Sequence, residues 1–325
     1  MKLHIGAALW AISSATLVWA GPLEKENVSA DAKWLLHWDV EGFRKTEVGD
    51  YFGREVLDKQ LAKGREDLKA HVGFDFDWRK VRSLTAYGTS YDPHPEGKGV
   101  LVIQSDMDVE KGFEGAITKL AEMGVGDGGP VRRIEPGPRA LYGINDDVFF
   151  ATQPGKPVLI SKSREELRRA REVLEGKRDN FKTSHTLAGF PSLPEHFFLL
   201  AGAEGFNELA PIAPKAQVLK LAEGLRLTLG EAKNQLALTL SLKAKTEEVT
   251  QQIQQVVQGL IALVALGQVE NSDLQELVQS AKVSTHEKLV TVDLRYPVDK
   301  AIAKIAEGER RSGEDRQQKR DGATR

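Results

Sequence analysis

From residue 34 onward the chain switches repeatedly between a two-residue and a 3.6-residue apolar period. Trp34-Leu35-Leu36-His37-Trp38-Asp39-Val40 is short, aromatic-rich and halted by charge and Gly42, as a strand would be. Val48, Phe52, Val56, Leu57, Leu61 and Leu68 then recur at helical spacing, with Gly49, Gly53 and Gly64 working against one continuous helix. Val81 to Thr89 and Gly99 to Ser105 read as a hairpin around a turn set by Pro93, Pro95 and Gly97. Asp106 or Asp108 caps a helix that buries Phe113, Ile117 and Leu120 and ends at the glycine cluster Gly124 to Gly129. Arg139 to Ile144, Val148 to Thr152 and Pro157 to Ile160 are three further strands. Ser163 and Glu166 have capping-box spacing ahead of Leu167, Ala170, Val173 and Leu174, and Gly176 closes that helix.

After a polar stretch with Gly189, Pro191 and Pro194, the order begins again. His196 to Ala203 is a strand, and Phe206 to Leu221 is mostly helical, interrupted by Pro211 and Pro214. Leu225, Leu227 and Leu229, then Leu236, Leu238, Leu240 and Leu242, carry the two-residue period of half-buried strands. Thr246 caps a long helix with Val249, Ile253, Val256, Val257, Leu260, Ile261 and Val264 as its stripe, read as a core helix under the second sheet. Asn271 or Ser272 caps another helix, Lys282 to Thr285 and Leu289 to Tyr296 form a hairpin, and Pro297 starts a last helix.

Both halves therefore run strand, helix, two strands, helix, strand. The expectation is an α+β fold with an internal duplication of element order. Each half is an antiparallel or mixed sheet with helices on one face, in a split βαβ-like arrangement. The two sheets could lie side by side or face to face. The boundaries fall at 34–176 for the first domain, 177–194 for the connection and 195–307 for the second domain. Residues 21–33 read as a flexible lead-in. Residues 308–325 form a charged tail without a large apolar residue, which is expected to be disordered.

The start of the chain changes the picture. Lys2 is followed by the nearly charge-free run Ile5 to Trp19, then by Ala20, Gly21 and a charged segment. That is the layout of a secretory signal peptide over 1–20, cleaved between Ala20 and Gly21. A bilayer span needs roughly 20 apolar residues, so the run is expected to leave no stable membrane span after cleavage, with an uncleaved N-terminal anchor as the alternative. The localisation expected is periplasmic or secreted. The chain has Cys 0, which removes thiol nucleophiles, thiolate zinc sites and disulfides. Lys+Arg 45 against Asp+Glu 47 gives a net charge of -2, with no electrostatic footprint for nucleic acid and no polybasic membrane patch.

Candidate chemistry is sparse. His37 and Asp39 alternate on one strand and so share a face, as a general base or half a metal site would need. Two such groups are too few ligands for a closed metal centre, and packing between Trp34 and Trp38 is the simpler reading. Phe74-Asp75-Phe76-Asp77-Trp78 lacks the spacing of a calcium loop, which leaves a turn capped by Asp75 or Asp77. The Gly124 to Gly129 run follows a helix instead of preceding one, so it does not cradle phosphate. His185, His196 and His286 stand singly, and Ser161-Lys162-Ser163-Arg164 lacks the Ser-x-x-Lys spacing. Leu260 to Leu266 is too short to cross a bilayer.

Val72-Gly73-Phe74-Asp75-Phe76-Asp77 with Leu84-Thr85-Ala86-Tyr87-Gly88-Thr89 resembles a recurrent segment of an uncharacterised family of exported bacterial proteins. Leu141-Tyr142-Gly143 and Leu159-Ile160-Ser161-Lys162-Ser163 continue the resemblance. It implies a secreted or periplasmic α+β protein with no assigned reaction, and it carries no catalytic residue. The function expected is a noncatalytic envelope module that presents sheet or loop surfaces to an unknown protein or envelope component, without a cofactor. The alternatives are a hydrolase or metal-assisted enzyme built around His37, Asp39 and loops near His94 or His185, and a chaperone-like assembly factor using exposed apolar area.

Overall fold

One antiparallel sheet runs through the molecule. The computed structural model describes residues 23–91, 98–122, 131–145, 147–184, 187, 189–206, 221–266 and 272–323. The predicted cleavage site at Ala20 and Gly21, the Gly124 to Gly129 loop, His94, His185 and the Pro211 and Pro214 stretch lie outside them. Among the described residues the strands are β1 (Trp34–Asp39), β2 (Val81–Gly88), β3 (Gly99–Ser105), β4 (Val131–Glu135), β5 (Leu141–Ile144) and β6 (Val148–Ala151). They continue as β7 (Val158–Ser161), β8 (Phe197–Glu204), β9 (Ala222–Ala232), β10 (Gln235–Ala244), β11 (Lys282–His286) and β12 (Leu289–Pro297). Their spatial order is β11-β12-β10-β9-β8-β1-β2-β3-β7-β6-β5-β4. The fold is α+β. The two predicted sheets lie side by side as one, because β1 pairs with β2 on one edge and with β8 on the other.

The helices are α1 (Val40–Arg44), α2 (Glu47–Phe52), α3 (Asp58–Val72), α4 (Val109–Glu122), α5 (Arg164–Leu174), α6 (Glu247–Leu266), α7 (Ser272–Gln279) and α8 (Val298–Ala323). The expected glycine interruptions do not break the helix: Gly49 lies inside α2, α3 runs through Gly64, and only a π turn at Gly53 marks the run from Glu47 to Val72. Asp39 caps α1 by accepting from Gly42, and Thr46 caps α2 by accepting from Gly49. A single π turn, Gly53–Leu57, joins α2 to α3 where Gly53 lets the backbone approach the Trp78 ring. The caps read at Asp77, Ser163 and Thr246 are also present: their side chains accept from the amides of Arg79, Glu166 and Val249.

Side chains at odd positions of β1 point to one face, which packs on α5. There Leu35, Tyr87, Val100, Val102 and Leu200 meet Leu167, Ala170 and Leu174. Even positions point to the opposite face. Trp38, Leu84 and Ile103 meet Leu57 and Leu61 of the α2–α3 region, while Leu199, Leu229 and Leu236 meet Phe43, Val48, Ile302 and Ile305. Further along the strands on that second face, Leu242, Leu225 and Ala203 meet Val249, Ile253 and Val257 of α6. Phe113 of α4 stacks on Tyr142 there as well, with ring centroids 4.8 Å apart. The helices thus gather on one face apart from α5.

Two further expectations need correction, and one strand was not foreseen. Residues 23–33 are not a loose lead-in: Val28 and Ala32 are 0% exposed, and the Phe181 amide donates to the Val28 carbonyl at 2.8 Å. The start of the connection is therefore clasped to the lead-in, with Phe181 in the core beside them. The tail is not structureless, because α8 continues through residue 323. Its Ala, Glu, Arg, Gln and Lys are good helix formers, and i,i+4 pairs such as Glu307–Arg311 support it without apolar burial. Lastly β4, which was not foreseen, is an edge strand fixed by backbone pairing with β5, and its sequence Val-Arg-Arg-Ile-Glu carries little apolar signal.

Candidate functional site

The predicted pair, His37 and Asp39, does share one face of β1, but in the interior. His37 is 1% exposed, and its Nδ1 lies 2.8 Å from the Thr85 hydroxyl on the neighbouring strand. Asp39 is 6% exposed, and its Oδ1 accepts the Gly42 amide at 2.8 Å. Burial pushes the Asp39 carboxyl up to about 6, against the opposing pull of that amide. Both residues have structural partners, and β1 is a central strand instead of an edge.

The other singled-out residues are dispersed. His196 and His286 are exposed on separate loops and strands, and His196 adopts φ 63 while its carbonyl accepts from Glu231. The Ser161 hydroxyl donates to the Gly99 carbonyl at 2.8 Å and accepts the Ser163 amide at 3.0 Å, which makes it part of the entry turn to α5. Among the described residues no group of three or more His, Asp or Glu side chains could hold a metal ion. A polar depression of about 610 Å³ is lined by Arg82, Gln104, Asp106, Asp108 and Lys156, among others. Arg82 there is already paired with Asp106 at 3.4 Å.

The unusual feature is the way polar and apolar residues divide between the two sheet faces in the second half. On β9 and β10, Arg226, Thr228 and Ser241 are buried, while Leu225, Leu227, Leu229, Leu238 and Leu240 are only half-buried. Buried polar groups and accessible leucines are the informative exceptions to ordinary partitioning. The polar face is closed by a strap from the connection. The Arg226 guanidinium donates to the Pro191 carbonyl and lies 5.3 Å from the Phe190 ring centroid. Gly202 and Gly224 leave room for the strap, since a Cβ at Gly202 would meet Leu187 at 2.5 Å and one at Gly224 would meet Phe190 at 3.3 Å. Among the described residues Arg226 pairs with no carboxylate, and burial pulls its pKa down.

The leucine face has a different fate. Leu240 faces Leu227, Leu227 faces Ala201, and Ala201 faces Leu36. Leu36 faces Ala86, Ala86 faces Leu101, and Leu101 faces Ile160. This unbroken aliphatic row crosses seven strands, about 29 Å at the usual strand spacing. Each member is half-buried except Leu36, which is 45% exposed. At the Ile160 end the row enters a shallow depression of about 400 Å³ bordered by Trp34 and Val148.

Helices wall the row on both sides at its β10 end. On β10, Leu242 packs under α6 and Leu236 packs under α8. Those contacts are six residues apart, about 20 Å along the strand. Two helices packed side by side need only 8–10 Å between axes, so the floor between these walls is about one helix wide. Sequence reasoning found the leucine period but not this exposure. The signal lay in the polar residues between the leucines: Arg226, Thr228, Thr239 and Ser241 form a face that needs its own cover.

No family model and no curated protein matches this chain. Among solved structures, crystal form III of TP0453 has 10% sequence identity and a TM-score of 0.45, and covers 87% of this chain and 97% of its own. Crystal form I has 10% identity and a TM-score of 0.44, with 89% and 98% covered, and crystal form IV has 9% identity and 0.43, with 88% and 96% covered. By these comparisons the chain is similar to TP0453 over most of its length.

Proposed function

We propose that this protein is an exported, noncatalytic binding module that receives an apolar helix of another envelope protein in the trough between α6 and α8. The observation that carries this reading is the uncharged row from Leu240 to Ile160, left half-open while the face behind it is closed, by α5 under the first strands and by the strap at Arg226. Helix-in-groove recognition needs an apolar floor and walls one helix apart, and this floor has that width. Export rests on the leader 1–20, and the absence of cysteine suits any redox environment.

The test uses a fluorescently labelled synthetic helix with leucine on one face and glutamine on the other. Its anisotropy should rise on titration with the protein, and Leu227→Glu should weaken binding at least tenfold. Leu36→Glu, at an exposed position that does not threaten folding, should do the same. Equal binding by both variants and the parent would sink the proposal. N-terminal sequencing of the exported protein should begin at Gly21.

A further inference from the structure

The second half of α6 presents a different surface from the trough. From Val249 to Leu266 the helix carries no charged side chain, and by length and composition it could cross a membrane. A core helix would account for such a segment, but here Thr250 and Ile253 are the buried residues, both near the N-terminal end. Val249, Ile253 and Val257 fasten that end to the sheet. Beyond it, Val256, Leu260, Leu263 and Leu266 are 43%, 48%, 68% and 83% exposed, so exposure grows toward the tip.

The shape of this surface decides what covers it. Gly259–Leu266 contains only Gly, Ala, Leu, Ile and Val. Ile261 and Val264 are half-buried, and the other six positions are exposed. At 100° per residue these six span roughly 220° of the circumference. A partner helix covers a stripe on the order of 100° wide, so a second copy or a protein groove would leave half of this arc in water. A fluid hydrocarbon phase covers all of it. We infer that the tip of α6 inserts into one leaflet of a lipid bilayer and anchors the protein at the membrane surface.

The dimensions fit an anchor and not a span. Eight residues of helix are about 12 Å long, against roughly 15 Å for half of a bilayer's hydrocarbon core. Gln251, Gln252, Gln254, Gln255 and Gln258 precede the tip and would lie at headgroup depth, polar but uncharged. With no basic residue in this helix after Glu248, the attachment needs no anionic lipid and is insensitive to salt.

The chain has no cysteine, so Leu263→Cys places one environment-sensitive nitrobenzoxadiazole label at the tip. With zwitterionic phosphatidylcholine vesicles, the label on the full chain should brighten and shift to the blue, equally at 0.15 and 1 M salt (about 8 and 3 Å of screening). The unlabelled protein should float with the vesicles, and Leu263→Glu with Leu266→Glu should reduce the floating fraction at least tenfold. Leu227→Glu, which tests the trough, should leave flotation unchanged. Flotation that survives the double substitution, a label that stays in water, or a double substitution whose only effect is to dissociate a lipid-free dimer would each overturn the inference.

Discussion

Glu231, near the end of β9, holds Val48 at the start of α2: its Oε2 accepts the Val48 amide at 3.1 Å, and its Oε1 accepts the Glu47 amide at 2.8 Å. One carboxylate thus satisfies two open donors of a short helix and sits at the positive end of its dipole. The contact links the second-half hairpin to the first-half helices across 183 residues of chain. Glu231→Ala should lower stability by about 1 kcal/mol, as losing a helix cap does. Urea unfolding measures this, with the midpoint falling and the slope unchanged. No change in midpoint would show that the contact contributes nothing.

Asp39 should make stability depend on pH. Its carboxyl titrates near 4 in the unfolded chain and is pushed up to about 6 by burial in the fold. The folded state therefore favours the protonated acid. The associated stability is fully present below pH 4 and is lost as pH rises through about 6, on the order of 2–3 kcal/mol. Asparagine caps a helix as well as aspartate does, so Asp39→Asn should keep α1 and remove this slope. Thermal melts of both proteins between pH 4 and 8 decide it, and parallel curves would refute the assignment.

Two glycines should respond in opposite directions to alanine. A Cβ at Gly49 would collide with the Phe43 carbonyl oxygen, a backbone atom that cannot swing away. Gly49→Ala should cost at least about 2 kcal/mol. At Gly64, in α3, a Cβ meets nothing within 4 Å. Gly64→Ala should stabilise by about 0.5–1 kcal/mol through helix propensity alone. Calorimetric melting temperatures should move down for the first and up for the second.

Arg226 should govern the strap. Its guanidinium reaches the Pro191 carbonyl and the Phe190 ring, and a methionine there would remove the charged donor to that carbonyl. Arg226→Met should cost about 1–3 kcal/mol and should loosen residues 187–191 first. Chymotrypsin cleavage after Leu187 should accelerate well before global unfolding. Cleavage at the parent rate would mean that the strap is held by other contacts.

Much of the architecture was legible in local signals. Capping at Asp77, Ser163 and Thr246 and the strand periods each act within a few residues, so the chain carries them openly. The place of His37 and Asp39 on one strand face was also readable, because strand side chains alternate strictly. Their burial was not, because it depends on β8 and β2 closing on both sides of β1.

The sequence by itself determined which residues form strands and helices, that no cysteine chemistry exists, and that leucines alternate with polar residues on β9 and β10. Tertiary structure alone decided which of those alternating faces is inside. Leu227 and Thr228 are neighbours with opposite directions, and periodicity marks two faces without saying which will be covered. The cover over Arg226, Gly202 and Gly224 comes from Leu187, Phe190 and Pro191, a segment that reads as a connection until it is folded back. Likewise α6 reads as a core helix until exposure is seen to grow from Val256 to Leu266. In both cases the deciding term is burial against residues distant in sequence, which no local pattern encodes.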